Sequence, residues 1–342
     1  MYPELFEIPF IHLTVKTYGL MIVIGFLSAV FLIRRLSHNI TPNPQLITNA
    51  ALYSLIAGVV GARLFFVVHY FDKFQKDPLS VFAIWQGGLE LLGGVILAIV
   101  VIFFYLWHHK LPIRRYLDIL AIGLMLALVF GRIGCLLRGD CFGKPSELPW
   151  AIRFPYASDP YYSQVHPDPK RNRSQLYMQL PPEFFGYVGK NGLSYSGLKP
   201  YDELTEQQKY MVDKGPYRCL PVHPTQLYSS ANGAVLCLIL YLFWRRSKNV
   251  ANSKKADRSF IKPGCTFSLM FIFYGIAGFF IEFLRDDNPF EYGWWAIYKG
   301  GTVSQNLGIY MMIFGVASMV IFAKMEPKVI SLNENNKIKD TG

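Results

Sequence analysis

The residues best placed to do chemistry in this chain are three arginines. Arg63, Arg132 and Arg285 each lie inside or at the edge of an apolar run. A guanidinium stays protonated, and its planar fork matches the oxygens of a phosphate. Glu90, Asp140 and Glu282 stand close to these positions in sequence and are able to orient an arginine. Tyr18, His223, Gln226, Ser304 and Gln305 add phenol, imidazole, amide and hydroxyl groups at the edges of further apolar runs. Such a set suits the binding of a phosphate headgroup and the stabilisation of charge growing on a departing phosphate. The chain has no HExxH and no Cys/His cluster at ligand spacing, and neither a GxSxG elbow nor a P-loop, so no metal and no cofactor are expected. Nothing in the sequence marks Cys135 or Cys141 as an activated thiolate.

The elements that must carry these groups are long apolar segments. Seven runs of about 20 residues fall near 18–36, 50–71, 88–107, 116–137, 225–244, 265–284 and 302–323, each long enough to cross a bilayer as a helix. No basic segment precedes the first run, which is therefore not read as a cleavable signal peptide. Basic residues follow the first, third, fifth and seventh runs. The stretch 245–262 alone holds seven basic residues and one acidic residue. The positive-inside rule then puts the N-terminus outside and the C-terminus in the cytoplasm. On that topology Arg63, Glu90, Arg132, His223, Glu282, Arg285 and Ser304 all fall in the outer leaflet. This predicts a polar chamber open to the outside rather than a pore through the membrane.

Plainer readings exist for several of these groups. Arg285 alone would snorkel to the headgroups. Arg63 and Glu90 would form a structural ion pair. His223 before Pro224 would mark a helix entry. Glycines at 87, 88, 93 and 94, and at 131 and 134, would let helix backbones approach, or would leave room beside an arginine for a lipid headgroup.

Composition excludes other classes. Of the 342 residues, 52% are hydrophobic and only 17% charged, with mean hydropathy +0.26. A soluble domain carries roughly 25% charged residues. The net charge of +11 is explained by cytoplasmic loops, which removes the main support for nucleic-acid binding. Five cysteines are too few and too scattered for a disulfide scaffold. The segment 138–222 is nearly charge-balanced and rich in Pro, Tyr and Gly. It is expected as a small loop-rich subdomain with short helices near 182–185 and 203–212. No internal repeat is evident.

The sequence resembles prolipoprotein diacylglyceryl transferases of bacterial inner membranes over nearly all its spans. The most specific match is Gly131-Arg132-Ile133-Gly134-Cys135-Leu136-Leu137-Arg138-Gly139-Asp140-Cys141-Phe142-Gly143-Lys144, which looks like the family signature. Tyr18-Gly19-Leu20, Gly61-Ala62-Arg63, the paired glycines 87–88 and 93–94, His223-Pro224-Thr225-Gln226, Ile281-Glu282-Phe283-Leu284-Arg285 and Ser304-Gln305 match in order. The resemblance implies transfer of diacylglycerol from phosphatidylglycerol to the lipobox cysteine of preprolipoproteins, forming a thioether and releasing glycerol phosphate. It implies catalytic roles for Arg132, Arg285, Tyr18 and His223. It implies substrate-binding roles for Arg63, Gly131, Asp140, Gly143, Gln226, Glu282, Ser304 and Gln305. Cys135 stands where the family signature has asparagine, and Asp140 where it has glutamate. Leu92 stands where many members carry His or Tyr, so either another group, with Tyr18, His223 and Asp140 as the candidates, accepts the thiol proton, or the thiol ionises by itself near the arginines.

The expectation is an all-α membrane protein of seven transmembrane helices with a small loop-rich periplasmic subdomain. Helices one to four occupy 1–137, the insert 138–222, helices five to seven 223–324 and a cytoplasmic tail 325–342. Its partners would be phosphatidylglycerol, lipobox-bearing preprolipoproteins and membrane lipids, with no nucleic acid. A lipid-binding or transport protein of the same fold without chemistry is the alternative. It would place polar groups through both leaflets or break helices at the midplane. A purely structural scaffold would not need converging arginines.

Overall fold

The computed structural model describes residues 4–8, 13–38, 40–41, 43–75, 78–82, 88, 90–189, 192–251 and 261–325. Half of the basic stretch 245–262, residues 252–260, and the tail beyond 325 lie outside the described residues.

Helices α1 (Thr17–Ser37), α2 (Gln45–His69), the single turn α3 (Phe71–Phe74), α4 (Leu91–His108) and α5 (Ile113–Arg138) lead to the insert. Within it are β3 and β4 (Phe185–Val188, Ser194–Leu198) and helices α6 (Asp159–Val165) and α7 (Glu206–Asp213). Helices α8 (Thr225–Ala251), α9 (Cys265–Ile281) and α10 (Val303–Lys324) follow. Before α1 stand β1 and β2 (Glu4–Ile8, Leu13–Lys16). Each of the seven expected spans falls on one helix. Six are long and apolar enough to cross a membrane. The seventh, α4, has 18 residues, about 27 Å at 1.5 Å per residue, close to the thickness of a hydrocarbon core.

The all-α expectation needs one correction. β1 pairs antiparallel with β2, and β3 pairs antiparallel with β4, each pair a separate two-stranded sheet. These are short hairpins outside the long helices, where no apolar run declares them.

The chain divides into two compact units: residues 1–28, 124–240 and 268–318 form the first, and 29–123, 241–267 and 319–342 the second. In the second unit, α2 and α4 pack through glycine. A Cβ on Gly61 would meet the Gly93 carbonyl oxygen at 2.5 Å, and one on Gly94 would meet the Gly58 carbonyl oxygen at 2.7 Å. The backbones are therefore nearly in contact, the small-residue packing that brings membrane helices together. Asp118 is buried in the same unit and accepts hydrogen bonds from the backbone N–H groups of Gly264 (2.7 Å) and Phe267 (3.0 Å), capping the start of α9. The sequence reading did not single it out.

In the first unit the insert has a core of its own. Phe154, Tyr161, Val165, Phe184, Val212 and Val222 are buried together. Gln164 closes it: its amide donates to the Leu220 carbonyl at 3.1 Å and accepts from the Leu220 N–H at 2.8 Å. The short helices expected near 182–185 and 203–212 are a 3-10 turn at Pro182–Phe184 and α7, which starts on a capping box between Thr205 and Gln208. The insert is thus a packed subdomain rather than a set of surface loops.

Candidate functional site

The site is a junction of three backbone segments in the first unit. α5 ends at Arg138, and Gly139, with φ +99°, turns the chain out of the helix. Only glycine takes that conformation without strain. The N–H groups of Gly139 and Asp140 both bond the Cys135 carbonyl, at 2.9 and 3.0 Å, which closes the helix end. The chain then runs between 222–223 and 284–286. Gly143 N–H donates to the His223 carbonyl (3.2 Å), Lys144 N–H to Leu284 (2.8 Å) and Asp286 N–H to Phe142 (3.1 Å). A Cβ on Gly143 would lie 2.6 Å from both the Cβ and the carbonyl oxygen of His223. Glycine is required there by backbone proximity.

The start of α8 fixes the same loop. Thr225 Oγ1 donates to the Cys141 carbonyl at 2.6 Å, and Gln226 Nε2 to the Asp140 carbonyl at 2.7 Å. Gln226 is fully buried, and its Oε1 has no hydrogen-bond partner among the described residues. Cys141 itself has φ +57°, a left-handed conformation rare for a residue with a side chain.

Both expected arginines reach this loop. Arg132 Nη1 lies 3.5 Å from Cys141 Sγ, and Nη2 lies 3.4 Å from the Tyr274 hydroxyl. These are long contacts, so the fork is held but not used up. Arg285 is held tightly. Its Nε and Nη2 grip Asp287 at 2.8 and 2.6 Å, and its Nη1 lies 3.4 Å from Glu282. Glu282 is buried and also accepts from Asn288 Nδ2 at 2.6 Å, and that amide donates to Ser304 Oγ at 3.0 Å. A hydrogen bond from Cys135, and then the charges of Arg285 and Arg132, pull the Cys141 thiol below its ordinary range, against the effect of burial.

Other expected residues sit around this centre in different ways. Tyr18 packs on Gly134, with its ring 6.0 Å from the Arg138 guanidinium carbon. A Cβ on Gly131 would meet nothing closer than Ile22 Cδ1 at 3.9 Å, so packing does not demand glycine there. The His223 ring lies 3.4 Å from the Tyr228 hydroxyl, and burial and Lys144 lower its pKa. Gln305 forms a capping box with Thr302 at the start of α10: each side chain accepts from the other's N–H, at 2.9 and 3.2 Å.

Arg63 and Glu90 belong to the second unit and are engaged there. Arg63 donates to the carbonyls of Ser80 (2.6 Å), Val81 (2.8 Å) and Gly88 (3.1 Å). Glu90 lies 2.8 Å from His69 Nδ1. The structural role considered for Arg63 thus takes the form of a clamp on backbone. Leu92 is two-thirds exposed.

The insert contributes residues that the sequence reading missed. Arg171 is buried; its guanidinium donates to the carbonyls of Arg285 (2.8 Å) and Asn288 and lies 3.5 Å from Asp286. It fastens the 285–288 loop to the insert. A cavity of about 620 Å³ opens beside this loop, with Asp140, Cys141, Asp159, His166, Arg285 and Asp287 in its wall. Its size is that of a ligand site. Among the described residues no group of three His, Cys, Asp or Glu side chains is arranged to hold a metal ion.

The chain matches the family model described as prolipoprotein diacylglyceryl transferase over residues 3–321. It is 28% identical over 321 residues to the phosphatidylglycerol–prolipoprotein diacylglyceryl transferase of Burkholderia lata, covering 90% of each chain. It is 28% identical over 314 residues to the protein of the same name in Methylococcus capsulatus, covering 89% of each.

Proposed function

Because the chain belongs to the prolipoprotein diacylglyceryl transferase family, we propose that it transfers diacylglycerol from phosphatidylglycerol to the lipobox cysteine of preprolipoproteins. The observation that carries this reading is the pairing of Arg132 and Arg285 around one loop, with Arg132's fork only loosely engaged. The lipid phosphate binds that fork. Arg285, positioned by Asp287 and Glu282, supplies the second charge. Its strong ion pair keeps it from moving, which suits a preorganised electrostatic site.

The reaction is a displacement at carbon. The acceptor thiolate sulfur forms a bond to the glyceryl carbon. The bond from that carbon to the phosphate oxygen breaks, and its electron pair leaves with glycerol phosphate. Charge on the departing oxygen grows as the bond breaks, so donors aimed at the phosphate bind the transition state more strongly than the ground state. The space beside Gly131 lies next to Arg132 in sequence and is where the lipid glycerol packs. Tyr18 and His223 border the same loop. Gln226, through Asp140, and Gly143, through its close backbone contacts, hold the loop in shape. Glu282 and Ser304 support Arg285, and Gln305 fixes the start of α10.

The protein acts in the bacterial inner membrane, N-terminus periplasmic and C-terminus cytoplasmic, with the insert on the periplasmic side. The basic residues of 245–262 support that orientation. A cysteine at Ser194 is then labelled by an impermeant thiol reagent in intact cells, and one at Ser253, outside the described residues, is not, both in a background lacking the native cysteines.

The function is tested by incubating the purified protein with phosphatidylglycerol and a lipobox peptide. A peptide mass raised by one diacylglyceryl group, with glycerol phosphate released, is the expected result. Lipid binding with no thioether product would instead favour a lipid-binding protein of this fold.

A further inference from the structure

The chain between α9 and α10 is a stapled hairpin, not a slack connection. The span that contains α9 closes at Leu284, and the next opens at Val303, so both ends of the intervening chain are held at one face of the membrane. Phe290 and Thr302 pair as an antiparallel bridge. Next to them the Glu291 N–H donates to the Gly301 carbonyl and the Gly300 N–H to the Glu291 carbonyl, both at 2.8 Å. Beyond this base the chain makes two tight turns. Ala296 N–H closes one on the Gly293 carbonyl and Gly301 N–H the other on the Tyr298 carbonyl, each at 3.1 Å. Gly300, at φ +81°, permits the second turn. Asn306 of α10 is buried and grips Tyr298, accepting from its N–H at 2.7 Å and donating to its carbonyl at 3.0 Å.

This constrained backbone holds an indole out at its tip. Trp294 is 96% exposed, and Tyr292 and Ile297 near it are more than half exposed. Exposed apolar side chains within the spans are covered by lipid. Trp294 lies outside both spans, midway between them. An indole is most stable at the headgroup level of a bilayer, where its ring meets the acyl chains and its N–H meets water. Lys299, also exposed, has the length to reach from that level to the phosphates.

We propose that residues 290–301 anchor the protein in the bilayer, with Trp294 seated at the headgroup–acyl boundary of the leaflet where α9 ends. Resting on the function proposed above, the anchor also fixes the depth at which Arg285 meets a lipid phosphate.

The link from anchor to arginine is short. Phe290 N–H donates to the Lys170 carbonyl at 2.9 Å, and Asn172 Nδ2 donates to the Tyr292 hydroxyl at 2.9 Å. Between these two contacts, Arg171 places its guanidinium carbon 5.0 Å from the Phe290 ring centroid and donates to the Arg285 carbonyl at 2.8 Å. Hairpin, insert and the Arg285 backbone are thus fastened together, and the depth of one sets the depth of the others. The bond between a lipid's glycerol and its phosphate lies at the same boundary as the indole, so depth decides whether the arginine reaches it.

The anchor is tested by fluorescence on the full-length protein in vesicles of phosphatidylcholine and phosphatidylglycerol. Subtracting the emission of Trp294→Phe from that of the native protein isolates the Trp294 signal. It should be blue-shifted and poorly quenched by acrylamide. Phosphatidylcholine brominated near the carbonyl end of its chains should quench it more strongly than lipid brominated near the chain termini. A red-shifted signal, open to acrylamide and indifferent to brominated lipid, overturns the proposal. So does shielding that appears only when a lipobox peptide is added or the protein concentration is raised, since the occupant would then be a peptide or a second copy. Activity tests the depth. In vesicles Trp294→Asp should form thioether a few-fold more slowly than the native protein, and Trp294→Tyr, still amphipathic, should match it. In detergent micelles, which have no leaflet depth to hold, all three should turn over alike. An equal loss in micelles, or no loss in vesicles, overturns the depth-setting role. If the native protein forms no thioether, the proposed function fails, and the quenching alone decides the anchor.

Discussion

Arg63 and Arg132 are the same residue type in helices of similar apolarity, yet they are used in opposite ways. Arg63, on α2, directs its nitrogens at three backbone carbonyls within 2.6–3.1 Å. Arg132, on α5, has two contacts at 3.4–3.5 Å. The first fastens the connection between α2 and α4, where glycines already bring the backbones together. The second holds a charge whose hydrogen-bonding capacity is largely unfilled among the described residues. An arginine in an apolar span is costly in either case. What separates a structural arginine from a ligand-binding one is the engagement of its fork, and that is decided by backbone the sequence does not display.

The largest expected effect is at Arg132. Arg132→Lys keeps the charge and loses the fork, so the rate of thioether formation should fall at least about 100-fold. The thermal midpoint should barely change, since no short hydrogen bond is lost. A variant that turns over normally would erase the contrast with Arg63.

Next is Gly143→Ala, which forces a Cβ to 2.6 Å from His223. Backbone cannot yield as a flexible side chain does. Overpacking of this kind should cost about 1–3 kcal/mol and displace the loop carrying Asp140 and Cys141. A lower unfolding midpoint in denaturant together with lost activity is expected.

Arg63→Met inverts the pattern. The carbonyls of Ser80, Val81 and Gly88 lose their donor, which should lower stability by about 1–3 kcal/mol. The rate per folded molecule should stay within about twofold, because Arg63 does not touch reactants in this account. A selective loss of rate with stability intact would move Arg63 into the substrate site.

The smallest effect is at Gly131. Alanine fits without a clash and should stabilise the helix by up to about 1 kcal/mol. If the lipid glycerol packs there, turnover should fall a few-fold while the melting temperature rises. A rise in stability with turnover unaltered would place the lipid elsewhere.

The long helices were legible because apolar length admits few alternatives in a chain so poor in charge. Arg63, Arg132 and Arg285 stood out for the same reason, and folding brings the last two to one loop. Gln305 was visible as a polar residue, but its position three residues after Thr302 was the mark of a capping box, and it serves as one. The insert was legible as a small subdomain with two of its short helices, but not in its packing. Its core mixes aromatic and aliphatic residues from very short helices and the irregular chain between them, too short for a period of two or 3.6 to declare itself. Arg171 carried no signal, because its partner Asp286 lies on another segment brought near only by folding. The state of Cys141 was equally hidden: its flanking charges come from α5 and from the loop after α9.

The central claim is that Arg132 and Arg285, and not Arg63, hold the lipid phosphate. It is tested most directly by following the phosphorus-31 resonance of phosphatidylglycerol added to the protein in nanodiscs of neutral lipid. The native protein and Arg63→Met should shift and broaden the resonance alike, and Arg132→Lys and Arg285→Lys should each weaken that response about 10-fold or more, the loss of one bidentate charge-assisted contact. A response abolished in Arg63→Met and retained in Arg132→Lys would contradict the account.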